Sequence, residues 1–513
     1  MQESFDTTLT VLQWLTTLFI FAVGIGLLIV IGMYIRDITQ TKSAIRRNFP
    51  VVGRFRYMFE HLGEFFRQYF FAQDREELPF NRAQRSWAYR AAKGIDNTIA
   101  FGSTMNLTIP GTPIFVNCPY PTLEKDSAPT DPMTIGPYAD KPYATKSLFN
   151  VSAMSFGALS SPAVRALSKG SKMAGNWLNT GEGGISPWHL EGGCDIVFQI
   201  GTAKYGARDH DGSLSDDKLR EAGEIEQVKM IELKLSQGAK PGKGGILPGE
   251  KVTAEIAAIR GIPEGHDSIS PNRHPEIESA SDLLDMINRI RDVSGLPTGF
   301  KAVIGAYGWL EELFEEIHRR GIESAPDFIT VDSGDGGTGA APMPLMDCVG
   351  LPIRESLPLV VDLLQKHGLR DRIRVIASGK LITPAGVAWA LCVGADFINS
   401  ARGFMFALGC IQALQCNKNT CPTGVTTHDR KLQRGLHPAD KAERVAKYSK
   451  SLRKEVGIIA HSCGVKEPRQ LRRFHCRVVQ DDGRSVPLDV LYPDVAEKNS
   501  PHEEAPAQVP GQA

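Results

Sequence analysis

The sequence predicts an α/β protein built on a TIM (β/α)8 barrel, preceded by a transmembrane helix and an extra N-terminal segment. Three observations carry that prediction. Eight short runs rich in β-branched and aromatic residues recur along the middle of the chain: SLFNVSA, NWLNTG, DIVFQIG, MIELKLS, GFKAVIG, DFITVDS, IRVIASG and DFINSA. Amphipathic stretches such as LEELFEEIHRR, LPLVVDLLQKH and TPAGVAWALCV follow most of them, the alternation that marks a parallel sheet with crossover helices. Polar, glycine-rich motifs then fall at the C-terminal end of strand after strand, where barrels of this kind place their sites.

The barrel is assigned to residues 146–476, and the remaining chain is read in order around it. Residues 1–48 form a membrane anchor. From Leu15 to Ile35 the chain reads LTTLFIFAVGIGLLIVIGMYI without a charge, close to the ~20 residues that span the hydrocarbon core. Glu3 and Asp6 precede this run and no small-residue cleavage site follows, which argues against a secretory signal. Arg36, Lys42, Arg46 and Arg47 come after it, so the positive-inside rule predicts a single-pass membrane protein with its catalytic domain in the cytoplasm. Residues 49–145 connect anchor and barrel. GRFRYMFEHLGEFFRQYFF predicts an amphipathic helix, lying on the membrane face or packed on the catalytic domain, and the Pro-rich Ile109–Pro142 predicts an extended connection. Residues 477–513 form a tail whose end, from Tyr492, has too little to bury to fold. With 58 basic and 58 acidic residues the net charge is zero, which gives no support for a nucleic-acid partner. Nine cysteines in so long a chain do not make a disulfide scaffold.

Several features point to chemistry. After strand one, Ser152-Ala153-Met154-Ser155 keeps side chains small, so the backbone can approach a flat ring. After strand six, Asp335-Gly336-Gly337-Thr338-Gly339 forms a backbone cradle. Ser378-Gly379-Lys380 after strand seven and Ser400-Ala401-Arg402-Gly403 after strand eight offer amides and cations, the features that bind phosphate. Any one of these reads as a plain turn; on adjacent strands they predict a phosphate site. Lys234, Lys240 and Lys243 around strand four, with Lys204 and Arg208 after strand three, suit the carboxylates of an anionic substrate. The connection from about Gln237 to Glu278 is long enough to be functional. It carries His274, either a proton carrier or a solvated loop residue. Finally, GCIQALQCNKNTCPTG sets Cys410, Cys416 and Cys421 within twelve positions. The spacing departs from a zinc knuckle, and three thiolates ending in Cys-Pro suit a three-iron cluster better than zinc; buried structural cysteines are the alternative.

Five motifs together with this triad resemble the FMN- and iron–sulfur-containing synthase domain of glutamate synthase. They are SAMSFGALS, AKPGKGGILPG, DSGDGGTGAAP, VIASGKLITPAG and ADFINSARGFMFALG, in the family's order, over about Lys146 to Leu471. The resemblance implies FMN and an iron–sulfur cluster of the 3Fe-4S type, the latter on Cys410, Cys416 and Cys421 and beside the flavin. It implies that FMN lies against Ser152, Ala153, Met154, Ser155 and the turn Asp335, Gly336, Gly337, Thr338 and Gly339, with its phosphate at Gly379, Lys380, Ala401 and Arg402. Gln199 would hydrogen-bond the ring edge and Lys301 would stabilise negative charge on the reduced ring. Lys301, Gln199 and Lys234 are thus the catalytic candidates. The implied activity is that of an oxidoreductase acting on the CH–NH2 group of donors. Electrons arrive from ferredoxin or a membrane redox partner, and 2-oxoglutarate and ammonia become L-glutamate. Two departures bear on this. Lys243 stands where the family is usually acidic, and the chain begins in an apolar helix where the family has a glutaminase domain, so ammonia is expected from solution or a partner. The alternative keeps both cofactors in a membrane-linked electron-transfer oxidoreductase with a different acceptor.

Overall fold

Eight parallel strands close into a barrel in the computed structural model of the protein, which describes residues 2–493. They are β1 (Phe149–Val151), β2 (Leu178–Asn179), β3 (Ile196–Ile200), β4 (Val228–Lys234), β5 (Thr298–Val303), β6 (Phe328–Asp332), β7 (Arg374–Ser378) and β8 (Phe397–Ser400). Each pairs in parallel with its sequence neighbour, and β8 closes on β1. Every predicted run overlaps one of these strands, and β4 and β5 begin two residues and one residue ahead of their runs. Nearly all of their residues are buried, because side chains on one face fill the barrel and those on the other meet the helix layer. The helical expectations hold as well, within Gly308–Arg320, Ile353–Lys366 and Pro384–Val393.

The helix after β1, Ser161–Ala174, shows how local signals and packing combine. Ser160 caps its start by accepting from the Ala163 amide, Pro162 occupies the first turn, and Gly175 ends it in the left-handed conformation. Its buried face of Ala163, Ala166, Leu167 and Gly170 meets the long helix Pro438–Ser462. A Cβ on Gly170 would lie 2.6 Å from Val445, so only glycine permits this crossing. At the N-terminal ends of the strands, the hairpin Met133–Ile135/Tyr143–Thr145 inserts Ile135 and Tyr143 among Trp177, Phe328 and Phe397, and plugs the barrel floor.

Part of the predicted extended connection and part of the predicted tail form regular structure. Pro113–Phe115 pairs antiparallel with Cys476–Val479, which pairs with Ser485–Pro487. The partners are far apart in sequence, so local pattern could not pair them. Residues 494–513, most of the expected unfolded end, lie outside the described residues.

The chain divides into two compact units, Met1–Ala83 and Gln84–Ala513. In the first, a single helix runs from Gln2 to Thr39, longer at both ends than the apolar run, because neither flank contains Gly or Pro and each added residue gains a hydrogen bond. Its segment Asp6–Thr39 has a mean hydropathy of 2.7 in its most apolar window and exposed side chains throughout that window. Asp37 in its last turn accepts from Arg54 at 2.6 Å and from the Val51 amide at 3.0 Å, which ties the helix Gly53–Phe66 to the C-terminal end of the first helix. Phe55, Phe59, Leu62 and Phe66 form an exposed apolar stripe on that helix, the amphipathic pattern expected.

Candidate active site

The C-terminal ends of β4 and β5 bring two lysines side by side. Lys234 and Lys301 are register partners. Both ammonium groups are buried, so each needs an anion. Lys234 Nζ pairs with Glu182 Oε2 at 2.7 Å and donates to Gln237 Oε1 at 2.6 Å; Lys301 Nζ lies 3.8 Å from Asp332 Oδ2. Burial opposes ionisation of Glu182, but Lys234 and Lys240 overcome it and hold the carboxyl down to about 2. Burial in turn pulls the Lys234 ammonium below its ordinary value, against the attraction of Glu182. Lys240, 5% exposed, has no ion-pair partner among the described residues. Burial and the Lys234 charge push it down to about 8. One layer deeper, Glu232 accepts from Asn179 at 2.9 Å, Gln199 at 2.6 Å and Thr330 at 2.6 Å, a buried carboxylate fully engaged by neutral donors.

The glycine turns gather on the adjoining arc. Gly379 has φ +134°, and a Cβ there would lie 2.2 Å from that of Ser333, so the turn after β7 passes flush against the turn after β6. Asp335 is held by Lys380 at 2.8 Å and by the Ser333 hydroxyl. Arg402 packs over Gly337, where a Cβ would come within 2.9 Å of its Nε. Burial lowers the Arg402 pKa to about 10, against the pull of Asp335 and Asp332. A side-chain-free cradle with two cations at its edge suits a planar cofactor that carries a phosphate.

The cysteine loop follows directly from the helix Arg402–Leu408. Gln412, Leu414 and Asn419 adopt φ of 59°, 55° and 56°, a left-handed conformation that is uncommon for Gln and Leu. The Gln412 amide donates to Cys410 Sγ at 3.4 Å, and Thr423 Oγ1 lies 3.5 Å from Cys421 Sγ. Burial pushes the Cys410 thiol up to about 12, and the neighbouring Cys416 and Cys421 add to the shift. Among the described residues no three His, Cys, Asp or Glu side chains converge on a single ion. Cluster ligands need not do so, because each thiolate binds its own iron. The Gln412 N–H aimed at the Cys410 sulfur fits thiolate ligation.

The structure thus brings Lys234, Lys240, Lys301 and Gln199 to one mouth, flanked by Ser152–Ser155 on β1's exit and by the turns at Asp335–Gly339, Gly379–Lys380 and Ala401–Arg402. Gln199 spends its Nε2 on Glu232, which leaves Oε1 for other contacts. Lys243 is exposed, Lys204 is paired with Glu276 at 2.7 Å, and Arg208 donates to the Arg260 and Gly261 carbonyls while stacking on Tyr205. Those three are therefore not free clamps in the mouth. His274 is buried rather than solvated: its Nε2–H donates to the Lys234 carbonyl at 3.0 Å, and burial lowers its pKa to about 4. Sequence reasoning missed Glu182, Asp332 and Glu232. Glu182 sits in the NTGEGG turn after β2, where a lone carboxylate among glycines was the available signal.

The family described as a conserved region in glutamate synthase matches residues 123–466. The chain is 39% identical to the glutamate synthase large subunit-like protein YerD of Bacillus subtilis, over 94% of its own length and 98% of that protein's. It is 34% identical to the archaeal glutamate synthase (NADPH) of Methanocaldococcus jannaschii, over 62% of its own length and 59% of that protein's. It therefore spans about three fifths of the archaeal-type relatives. Among solved structures, a mandelate oxidase with (S)-4-hydroxymandelic acid aligns with a TM-score of 0.46 at 15% identity, covering 77% of this chain and 98% of that one.

Proposed function

The chain belongs to the glutamate synthase family, and on that premise we propose that it is an FMN- and iron–sulfur-dependent oxidoreductase that reduces the imine of a 2-oxo acid. The 2-oxo acid is 2-oxoglutarate, the nitrogen source is ammonia and the product is L-glutamate. The observation that carries this reading is the lysine-lined mouth, in which Lys240 is buried yet lacks an anionic partner among the described residues. A carboxylate on the substrate would complete it. FMN in the glycine cradle supplies hydride transfer when bound, and an iron–sulfur group on Cys410, Cys416 and Cys421 supplies single electrons.

The chain's own residues then have distinct tasks. Gly379, Lys380, Ala401 and Arg402 would hold the phosphate, with the turns Ser152–Ser155 and Asp335–Gly339 against the ring system. Glu182 fixes the Lys234 ammonium at 2.7 Å, so that cation cannot swing away from the mouth. Lys240, with a pKa near 8, can both bind an anion and release a proton from Nζ at neutral pH. Lys301 and Gln199 would lie at the ring edge. The exposed apolar helix supports a membrane anchor, and Arg36, Lys42, Arg46 and Arg47 after it support a cytoplasmic barrel. The same helix favours a second reading, in which a membrane redox partner, rather than ferredoxin, exchanges electrons with the protein and the acceptor is not an imine.

Anaerobically reduced, FMN-replete protein given 2-oxoglutarate and 15N-ammonium is expected to form labelled glutamate only when both are present. Protein that holds full FMN and forms none overturns the imine reading.

A further inference from the structure

The long connection after β4 carries a cation into the cysteine loop. Its short hairpin Ile246–Leu247/Ser268–Ile269 frames the turn Gly249–Lys251 and the helix Ala254–Arg260. Lys251 is 2% exposed, and its Nζ donates to the carbonyl oxygens of Ala158 at 2.9 Å and Cys416 at 3.2 Å. No carboxylate pairs with it among the described residues, and the residue it reaches in the cysteine loop is Cys416 itself. An ammonium taken out of water without an anion is strongly disfavoured, so this position is built for a negative charge that the cysteines hold.

The same lysine helps to fix the turn between the two cofactor sites. Phe156, Gly157 and Ala158 continue directly from Ser152–Ser155, and their three consecutive carbonyls each accept from a different side chain. Arg260 Nη2 reaches Phe156 at 3.2 Å, His428 Nε2 reaches Gly157 at 2.8 Å, and Lys251 takes Ala158. Two of those donors come from the connection after β4 and one from the chain just past the cysteines.

We infer that Lys251 is the buried counter-charge of the iron–sulfur group on Cys410, Cys416 and Cys421, and that its ammonium raises that group's reduction potential. The inference rests on the iron–sulfur reading of the cysteine loop. Reduction adds an electron to a group already made negative by its thiolates, and a cation fixed in a low-dielectric site beside it favours the reduced form. Lys251 is a positioning residue that never touches substrate.

The test is a spectroscopically monitored redox titration of full-chain protein purified without oxygen, as wild type, Lys251→Gln and Lys251→Met. Gln keeps a donor for the Ala158 and Cys416 carbonyls but removes the charge; Met removes both. Expected in both variants is a fall in the cluster's potential with the flavin's unchanged, or loss of iron with FMN retained. Lys251→Gln with wild-type iron content and wild-type cluster potential overturns the inference, because hydrogen bonding alone would then account for the residue. Wild-type protein that binds FMN but no iron overturns the iron–sulfur reading itself, and the inference with it.

Discussion

Replacing Glu182 with Gln removes the carboxylate that neutralises the lysine mouth. Its carboxyl sits near 2 against an ordinary 4.5, and each pKa unit corresponds to about 1.4 kcal/mol, so the ionised group contributes about 3 kcal/mol to the folded state. A depressed carboxyl pKa stabilises the fold above about pH 4.5, and that contribution is lost as pH falls toward 2. Solvent screening discounts little, since the side chain is 17% exposed. The substitution also leaves the buried Lys234 ammonium without its anion, which adds to the loss, and breaking a buried pair in this way costs about 3–5 kcal/mol. The second unit holds roughly 430 residues, and about 2.1 cal/mol/K of unfolding entropy per residue gives about 0.9 kcal/mol/K. The melting temperature of Glu182→Gln should therefore fall by about 3–6 °C at pH 7. Intrinsic tryptophan fluorescence of detergent-solubilised protein reads the shift. The gap to wild type should narrow below about pH 4.5 as the wild-type carboxylate protonates. Equal melting temperatures at pH 7, or a gap that widens in acid, would refute an ionised, paired Glu182.

Three further outcomes are expected. If Lys240 clamps a substrate carboxylate, the Kd of 2-oxoglutarate should be flat below its pKa of about 8 and rise about tenfold per pH unit above it, a dependence that isothermal calorimetry would find missing in Lys240→Gln. Gly379→Ala places a side chain where φ is +134° and the nearest Cβ is 2.2 Å away; the purified variant should lose FMN, seen as a drop in the 450 nm to 280 nm absorbance ratio, while its circular dichroism keeps the barrel signature. Cys416→Ser should abolish the paramagnetic signal of an oxidised three-iron cluster but leave FMN content near wild type, whereas zinc found in anaerobically prepared wild type would contradict the cluster.

Much of the barrel was legible because its signals are local. Each strand is a short apolar run buried on both faces, and β6 and β7 even end in the glycine turns that mark their exits. The cysteine triad and the glycine turns after β6, β7 and β8 were visible for the same reason, as contiguous motifs. What closure of the barrel creates was not legible. Glu182 meets Lys234 only because β2 and β4 end at the same mouth. Glu232 reads as one more residue of MIELKLS, yet it collects donors from β2, β3 and β6. Nothing in the sequence of the long connection marks Lys251, which the fold of that connection buries against Cys416. The strand Pro113–Phe115 has no pattern of its own and exists because Cys476–Val479 lies beside it.

Reoxidation of the flavin distinguishes imine reduction from every other use of this site. Full-chain protein would be reduced anaerobically and mixed in a stopped-flow spectrometer with 2-oxoglutarate, with ammonium, with both, and with a water-soluble quinone analogue. If the barrel reduces an imine, the oxidised flavin spectrum returns rapidly only with 2-oxoglutarate and ammonium together. Reduced protein that ignores that pair and is rapidly reoxidised by the quinone analogue would contradict imine reduction and assign the site to membrane-linked electron transfer.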